Sequence, residues 1–111
     1  MDLIEDRVQQ LLDSIGSSVV QSSLVVFFYR NPGAFDTTEG LARWVGINQY
    51  EVEPALEELN KTGIVKKMGN DLLAIYTYSP EESVLEIMDE LVAQLTAMPE
   101  YSKEVDRGQR G

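Results

Sequence analysis

The fold is decided by residues 36–78, which read DTTEGLARWVGINQYEVEPALEELNKTGIVKKMGNDLLAIYTY. The stretch opens with a helix-start signal, because Asp36 or Thr37 can cap a helix and Glu39 can return the capping bond. Gly46 is placed to end that helix, since glycine accepts the left-handed backbone conformation of a helix C-terminus. The apolar stripe of this helix consists of Leu41, Ala42 and Val45. These signals predict a short amphipathic helix between two turns.

A second helix-start signal follows directly, in which Asn48 can cap a helix and Glu51 can return the bond. Gly63 is placed to end this second helix. Pro54 lies past the first turn, so either the helix begins nearer Glu51 or its opening turn is distorted. The apolar face of the helix consists of Val52, Ala55, Leu56 and Leu59. The pattern predicts a second amphipathic helix directly after the first.

A β-hairpin is predicted after the second helix. Residues 64–68 and 72–78 are β-favouring runs, and Gly69-Asn70-Asp71 between them tolerates the positive φ of a short hairpin loop. Two capped helices followed by a hairpin resemble the winged helix-turn-helix of bacterial and archaeal transcriptional regulators of the arsenic-repressor and sugar-regulator type. The stretches that carry the resemblance are TTEGLARWVGI, VEPALEELNKTGIVKK and GNDLLAIYTYSPEE. The resemblance covers residues 17–98 in outline and implies a recognition helix, a wing and a DNA-binding homodimer.

The flanking segments predict further helices. Residues 2–15 form an amphipathic helix that Gly16 ends, and Ser18 with Gln21 forms a capping box for a buried helix over 19–30. Ser79-Pro80-Glu81-Glu82 predicts the start of a long C-terminal helix that Pro99 ends. The apolar faces of the two terminal helices are Leu3, Ile4, Val8, Leu11, Leu12 and Ile15, and Val84, Met88, Leu91, Leu95 and Met98.

These elements predict a mainly α fold with a small β-hairpin. The chain is expected to form a single winged helix-turn-helix domain over residues 1–98, with an extra N-terminal helix and a long C-terminal helix. The terminal helices, 1–16 and 80–98, have more apolar surface than one small core can cover, so they are predicted to form a homodimer interface. Its expected residues are Leu11, Ile15, Val84, Met88, Leu91 and Leu95. Residues 99–111 are polar and predicted to be a frayed tail.

Composition excludes several classes of protein. The 111 residues include no cysteine and no histidine, which removes disulfides, thiolate ligands, the usual zinc ligand and the usual general base. Neighbouring acids diverge around a helix, so a paired-carboxylate site is not predicted either. The chain is expected to be a non-enzyme without cofactor or metal. It has neither an export signal nor a run of about 18 apolar residues, so no membrane partner and a cytoplasmic location are predicted.

Two functions are predicted, and the net charge argues against the leading one. The chain has 19 acidic and 9 basic residues, a net charge of −10, which is unfavourable for contact with phosphate. The DNA-binding hypothesis places Gln49 and Tyr50 against base edges, while the expected phosphate contacts are Lys66, Lys67, Arg43, Lys61, Thr37 and Thr38. Because the resemblance implies DNA binding, and the polar first turn and the lysines of the wing are compatible with it, the leading prediction is a dimeric DNA-binding transcriptional regulator.

The alternative is an acidic winged-helix module that binds a basic protein and does not bind DNA. Glu53, Glu57 and Glu58 would repel phosphate, and on this interpretation they form a solvated helix face. Lys66 and Lys67 would then serve only to protect an exposed strand from edge pairing. Asn48 is favoured as a helix cap over a base contact in either case.

Four aromatic residues also have two interpretations. Trp44, Phe27, Phe28 and Phe35 could line a ligand pocket, but aromatic side chains on the apolar faces of a small domain more often belong to the core. The sequence therefore favours the core for all four.

Overall fold

The computed structural model of the chain describes residues 3–70 and 73–97. The predicted tail 99–111, the helix end at Met98 and Pro99, and the hairpin residues Asp71 and Leu72 lie outside the described residues, as do the side chains of Leu3 and Ile4. The described elements are α1 (Leu3–Ile15), α2 (Val19–Arg30), β1 (Phe35–Thr37), α3 (Thr38–Val45), α4 (Gln49–Lys61), β2 (Val65–Met68), β3 (Ile75–Tyr78), α5 (Glu82–Leu85) and α6 (Met88–Thr96).

The fold is mainly helical with a small three-stranded antiparallel sheet. The strand order is β1-β3-β2, with Phe35 opposite Thr77 and Met68 opposite Ile75. The hairpin of β2 and β3 is confirmed, with its loop starting at Gly69, whose φ is +86°. Strand β1 was not expected, and its three residues lead directly into α3. None of the helices in the described ranges is long and apolar enough to cross a membrane.

The helix caps confirm most of the local predictions. Thr37 caps α3 by accepting a hydrogen bond from the Gly40 amide at 3.1 Å. Asn48 caps α4, and its side chain accepts from the Tyr50 amide at 2.7 Å. Gly46 and Gly63 follow these helices with φ of +71° and +82°, the left-handed conformation that glycine tolerates best. Helix α4 therefore begins at Gln49 and accommodates Pro54 in its interior.

The predicted capping boxes form only in part. Ser18 accepts from the Gln21 amide at 3.1 Å, but the Ser18 amide already donates to the Ile15 carbonyl, so Gln21 cannot return the bond. The Gln21 Oε1 atom is buried without a hydrogen-bond partner among the described residues. In α3, Glu39 does not return a bond to Asp36 and instead pairs with Arg43.

The Asp36 side chain lies across the first turn of α3. One carboxylate oxygen accepts from the Thr37 amide at 2.7 Å, and the carboxylate covers the α-carbon of Gly40. A Cβ atom at position 40 would overlap that carboxylate, so the close approach requires glycine there as long as Asp36 stays in place.

The prediction of a single long C-terminal helix is wrong. The structure has a short α5 and a separate α6, and the break falls at Glu86 and Ile87. The start is also later than predicted, because the Ser79 amide donates to the Ile64 carbonyl at 3.2 Å and the Glu81 amide to the Gly63 carbonyl at 2.8 Å. These bonds keep the chain extended beyond β3 until Glu82 begins α5.

Most of the residues predicted to form a dimer interface lie in the core of the single chain. Helix α6 packs against α1 and α2, while α4 packs against α2 and α3. Leu11 is half-buried against the core, and the other five predicted interface residues are at most 1% exposed: Ile15, Val84, Met88, Leu91 and Leu95. The terminal helices therefore cover each other's apolar faces, and these five side chains are not available to a partner. The oligomeric state itself stays a prediction.

Candidate functional site

The residues predicted to contact base edges lie at the start of α4. Gln49 and Tyr50 form its first turn, and both are exposed, Tyr50 by 78%. The interpretation of Asn48 as a cap is confirmed, because its side-chain oxygen is bonded to the Tyr50 amide. We use the term α4–hairpin face for the exposed and half-buried residues of α4 and of the β2–β3 hairpin, together with Glu39 and Arg43 of α3.

Most of the predicted phosphate contacts on the α4–hairpin face are already engaged with carboxylates. Arg43 Nη2 lies 2.6 Å from Glu39 Oε1. Lys61 Nζ lies 3.4 Å from Glu58 Oε1, and Lys67 Nζ lies 2.9 Å from Glu57 Oε1. Lys66 is exposed and has no ion pair with any described residue.

One of the two predicted threonine contacts is used by the fold. The Thr37 hydroxyl oxygen accepts the capping bond of α3, and Thr38 is the half-buried first residue of that helix. The Thr37 hydroxyl is therefore already engaged, while the Thr38 side chain is only partly accessible.

Glu57 occupies a different environment from the solvated face that was predicted. Its Oε1 atom accepts from the Tyr76 hydroxyl at 2.5 Å as well as from Lys67 Nζ. The Tyr76 hydrogen bond, followed by the one from Lys67, lowers the pKa of Glu57. Burial, and then the bond to Glu57, raises the pKa of Tyr76 to about 12. The hairpin folds over the position of Glu57 on α4. The Glu57 carboxylate therefore connects α4 to the hairpin through two hydrogen bonds.

The remaining exposed groups of the α4–hairpin face are mixed. The carboxylates of Glu51 and Glu53 are exposed without an ion pair to any described residue, as is the ammonium of Lys66. Large apolar side chains are exposed beside these charges on α4 and the hairpin, namely Tyr50, Met68 and Leu73. The face thus has little free positive charge and considerable apolar surface.

A second surface lies between the end of α2, strand β1 and α3. It is a cleft of about 260 Å³. We call it the aromatic cleft, and its lining residues are Phe27, Asn31, Gly33, Ala34, Phe35, Asp36, Leu41 and Trp44. Because Phe35 is 67% exposed and Trp44 is 70% exposed, the prediction that both belong to the core is wrong. It is correct for Phe28, which is fully buried, while Phe27 is half-buried against the core.

The sequence pattern indicates that Phe35 and Trp44 lie away from the centre of a buried face. Leu41, Ala42 and Val45 define the inward stripe of α3, and Trp44 falls at its edge. Phe35 begins a three-residue strand at one edge of the sheet. Neither position is centred on a buried face.

Aromatic rings continue from the cleft into the core. The rings of Trp44 and Phe27 have centroids 6.2 Å apart and an interplanar angle of 28°. Phe27 meets Phe28 edge to face at 5.5 Å, and Phe28 stacks on Tyr78 at 6.4 Å. This series of contacts fixes one wall of the aromatic cleft to the fully packed interior.

The polar side chains of the cleft are occupied by local bonds. Asn31 Nδ2 donates to the Phe27 carbonyl at 2.8 Å at the end of α2, and Asp36 accepts from the Thr37 amide. Of the eight lining residues in the described part of the chain, Asp36 alone is ionisable. Among residues 3–70 and 73–97, no group of three or more acidic side chains is placed to hold a metal ion.

Comparisons with known proteins give no further identification: the chain matches no protein-family model, no curated protein and no solved structure. Any functional conclusion therefore depends on the two surfaces described above.

Proposed function

We propose that this chain is a winged helix-turn-helix protein that binds a protein partner. The packing of α3 against α4, with the β2–β3 hairpin following α4, supports this architecture. In this proposal α3 and α4 form the helix-turn-helix, and the hairpin is the wing. Strand β1 adds a third strand that connects the wing to the start of α3.

The observation that carries the proposal is the pairing of the cations on the α4–hairpin face. Affinity for DNA depends on free Lys and Arg side chains that replace the counterions of phosphates. Here Arg43, Lys61 and Lys67 each lie beside a carboxylate of the same face. A phosphate at any of them would either displace that carboxylate or lie close to it, and both cost binding energy.

The remaining surface supports a protein partner. Protein interfaces are depleted of free charge at their centre and enriched in aromatic residues and methionine. The α4–hairpin face exposes Tyr50 and Met68, and the neighbouring end of α3 exposes Trp44. A surface of this composition is better suited to contact another protein than to contact a phosphate backbone.

A second candidate, the dimeric DNA-binding transcriptional regulator, is favoured by one specific observation. Gln49 and Tyr50 are exposed on the first turn of α4, the part of a recognition helix that contacts base edges, and Lys66 is exposed on the hairpin. These three residues are the ones that a DNA complex would use.

Duplex selection distinguishes the two candidates. We expect repeated selection from a randomised duplex library, at about 0.15 M salt, to recover no preferred sequence. If a duplex is recovered, if Gln49→Ala reduces its affinity by about 1 to 3 kcal/mol, and if Lys66→Gln lowers the salt slope by about 0.9, the protein-binding proposal is wrong.

Photo-crosslinking supplies the positive test. A photoreactive phenylalanine analogue in place of Tyr50, introduced in the organism that encodes the chain, should give a crosslinked product of higher mass that nuclease leaves unchanged. The matched control carries the same analogue at Leu85, which is 56% exposed on α5, outside the α4–hairpin face, and it should not give this product.

A further inference from the structure

We propose that the aromatic cleft is the docking site for a cationic segment of the partner, which inserts one apolar side chain beside Trp44. The inference rests on the proposed function, since it assigns a chemistry to the protein partner. It adds a second contact surface, because the cleft is lined by α2, β1 and α3 and by no residue of α4.

The shape of the cleft favours an inserted side chain. Its volume of about 260 Å³ is below the roughly 300–1,000 Å³ typical of small-molecule and cofactor sites. Leu41 is fully buried behind the cleft, while Phe35 and Trp44 stand exposed around it. A single aliphatic or aromatic side chain from another chain would cover both exposed rings and displace poorly bound water.

The cleft is also preorganised. Trp44 is in ring contact with Phe27, and Phe27 with the buried Phe28, so the wall is fixed by the core before any partner arrives. Fixed aromatic residues are the usual anchors of protein interfaces because little side-chain entropy is lost when they are covered.

Charge complementarity favours a cationic segment. The chain carries a net charge of −10, and Asp36 is the ionisable residue in the lining. The exposed faces of Trp44 and Phe35 attract a guanidinium or ammonium group by cation–π interaction. Arg43, one residue before Trp44, is neutralised by Glu39, and Arg30 is not among the lining residues.

The same charge argues against other occupants. A second copy of this chain would carry the same overall net charge of −10, and a nucleic acid would bring phosphates, so overall charge disfavours both. A segment with an apolar residue next to Arg or Lys would pack on the rings of Phe35 and Trp44 and place a cation near the carboxylate of Asp36.

The probe is a random dodecapeptide library displayed on phage and selected against the full chain. We expect the selected peptides to share one large apolar residue adjacent to Arg or Lys. A synthetic peptide of the selected sequence should change the fluorescence of Trp44, the single tryptophan of the chain. Phe35→Ala should weaken its binding about tenfold or more in calorimetry, the effect expected of an interface anchor.

Two matched controls accompany the measurement. Leu85→Ala removes an exposed apolar side chain outside the cleft and should leave peptide affinity unchanged. A peptide in which Gln replaces the Arg or Lys should bind more weakly, and the difference should shrink as salt is raised.

Several results would overturn the inference. These are no enriched sequence, an enriched acidic sequence, peptide binding that is indifferent to Phe35→Ala, and a dimer in sedimentation equilibrium that Phe35→Ala dissociates. Peptide binding that Tyr50→Ala abolishes and Phe35→Ala spares would overturn the cleft while preserving the protein-binding function. Recovery of a preferred duplex with cleft-dependent peptide binding intact would show that the α4–hairpin face binds DNA, and it would leave the cleft as the docking site for a protein.

Discussion

Tyr76 donates its hydroxyl hydrogen to Glu57 Oε1 across 2.5 Å, which connects strand β3 to helix α4. Lys67 of β2 donates to the same oxygen at 2.9 Å, and its ammonium lies 6.0 Å from the centroid of the Tyr76 ring. Both strands of the hairpin are thus bonded to one carboxylate on the helix. This arrangement fixes the position of the hairpin against α4, and it uses the lysine that was predicted to contact phosphate.

Tyr76→Phe tests the contribution of this hydrogen bond. We expect the free energy of unfolding to fall by about 1 kcal/mol, because the bond is to a charged acceptor but the site is partly open to solvent. The pKa of Glu57 should rise relative to the native protein, since the Tyr76 bond is the largest cause of its lowering. Urea denaturation and a carboxyl NMR titration measure the two effects.

Tyr78→Phe is the matched control for that experiment. Tyr78 lies on the same strand and stacks on Phe28, and its hydroxyl donates no hydrogen bond to a described residue. The same loss of an oxygen atom should leave the pKa of Glu57 unchanged. Equal shifts in the two variants would mean that the hydroxyl bond does not control this carboxyl.

The same bond predicts the pH dependence of stability. The pKa of Glu57 is lowered in the folded state, so its contribution is present above its ordinary value of 4.5 and lost as the pH falls through the folded pKa. The pKa of Tyr76 is raised from 10.0 to about 12, so its contribution is complete below pH 10.0 and lost as the pH rises through about 12. Urea midpoints across these two windows should fall at both ends.

Tyr76→Phe provides the comparison for the alkaline window. The variant should lose part of the alkaline fall in stability and keep the rest, because the pKa of Tyr29 and that of Tyr78 are also raised. An alkaline profile identical to that of the native protein would contradict the assignment to Tyr76.

The sequence predicted those features of the fold that depend on neighbouring residues. Caps at Ser18, Thr37 and Asn48 were identified because capping is a local bond between a side chain and an amide up to three residues away. Glycine at position 46 indicated a helix end for the same reason. Strand β1 carried no such signal, since three residues become a strand only by pairing with distant Thr77 and its neighbours.

Features that depend on what covers a side chain were not predictable in this way. Periodicity placed Glu57 on the outer face of α4 but gave no sign that the hairpin would fold over it. The apolar faces of the terminal helices were assigned to a partner subunit, whereas α6 packs against α1 and α2 within the chain. Trp44 has a large aromatic side chain of the kind usually found in a core. It is exposed because no described element packs over that edge of α3.

Leu91 distinguishes a core residue from an interface residue. Its side chain is 0% exposed in α6, so we expect Leu91→Ala to lower the free energy of unfolding by about 2 to 5 kcal/mol. Leu91→Glu should prevent folding, because it buries a carboxylate without a partner. Urea denaturation and sedimentation velocity measure stability and mass.

Leu85→Ala is the control in the neighbouring helix, where the side chain is 56% exposed. It should change stability by no more than about 0.5 kcal/mol. A folded monomer formed by Leu91→Glu from a native dimer would contradict the burial of Leu91 within the single chain and return it to an intermolecular interface.

Gly40 and Asp36 should behave as a coupled pair. Gly40→Ala normally stabilises a helix by up to about 1 kcal/mol, but here the new methyl group would displace the Asp36 carboxylate from the first turn of α3. In an Asp36→Ala background the space is empty, so Gly40→Ala should be more favourable there than in the native protein. Equilibrium unfolding of the native chain, the two single variants and the double variant gives the coupling free energy, for which we expect about 1 kcal/mol. Additive effects would show that the Asp36 side chain moves aside without cost and that glycine is not required at position 40.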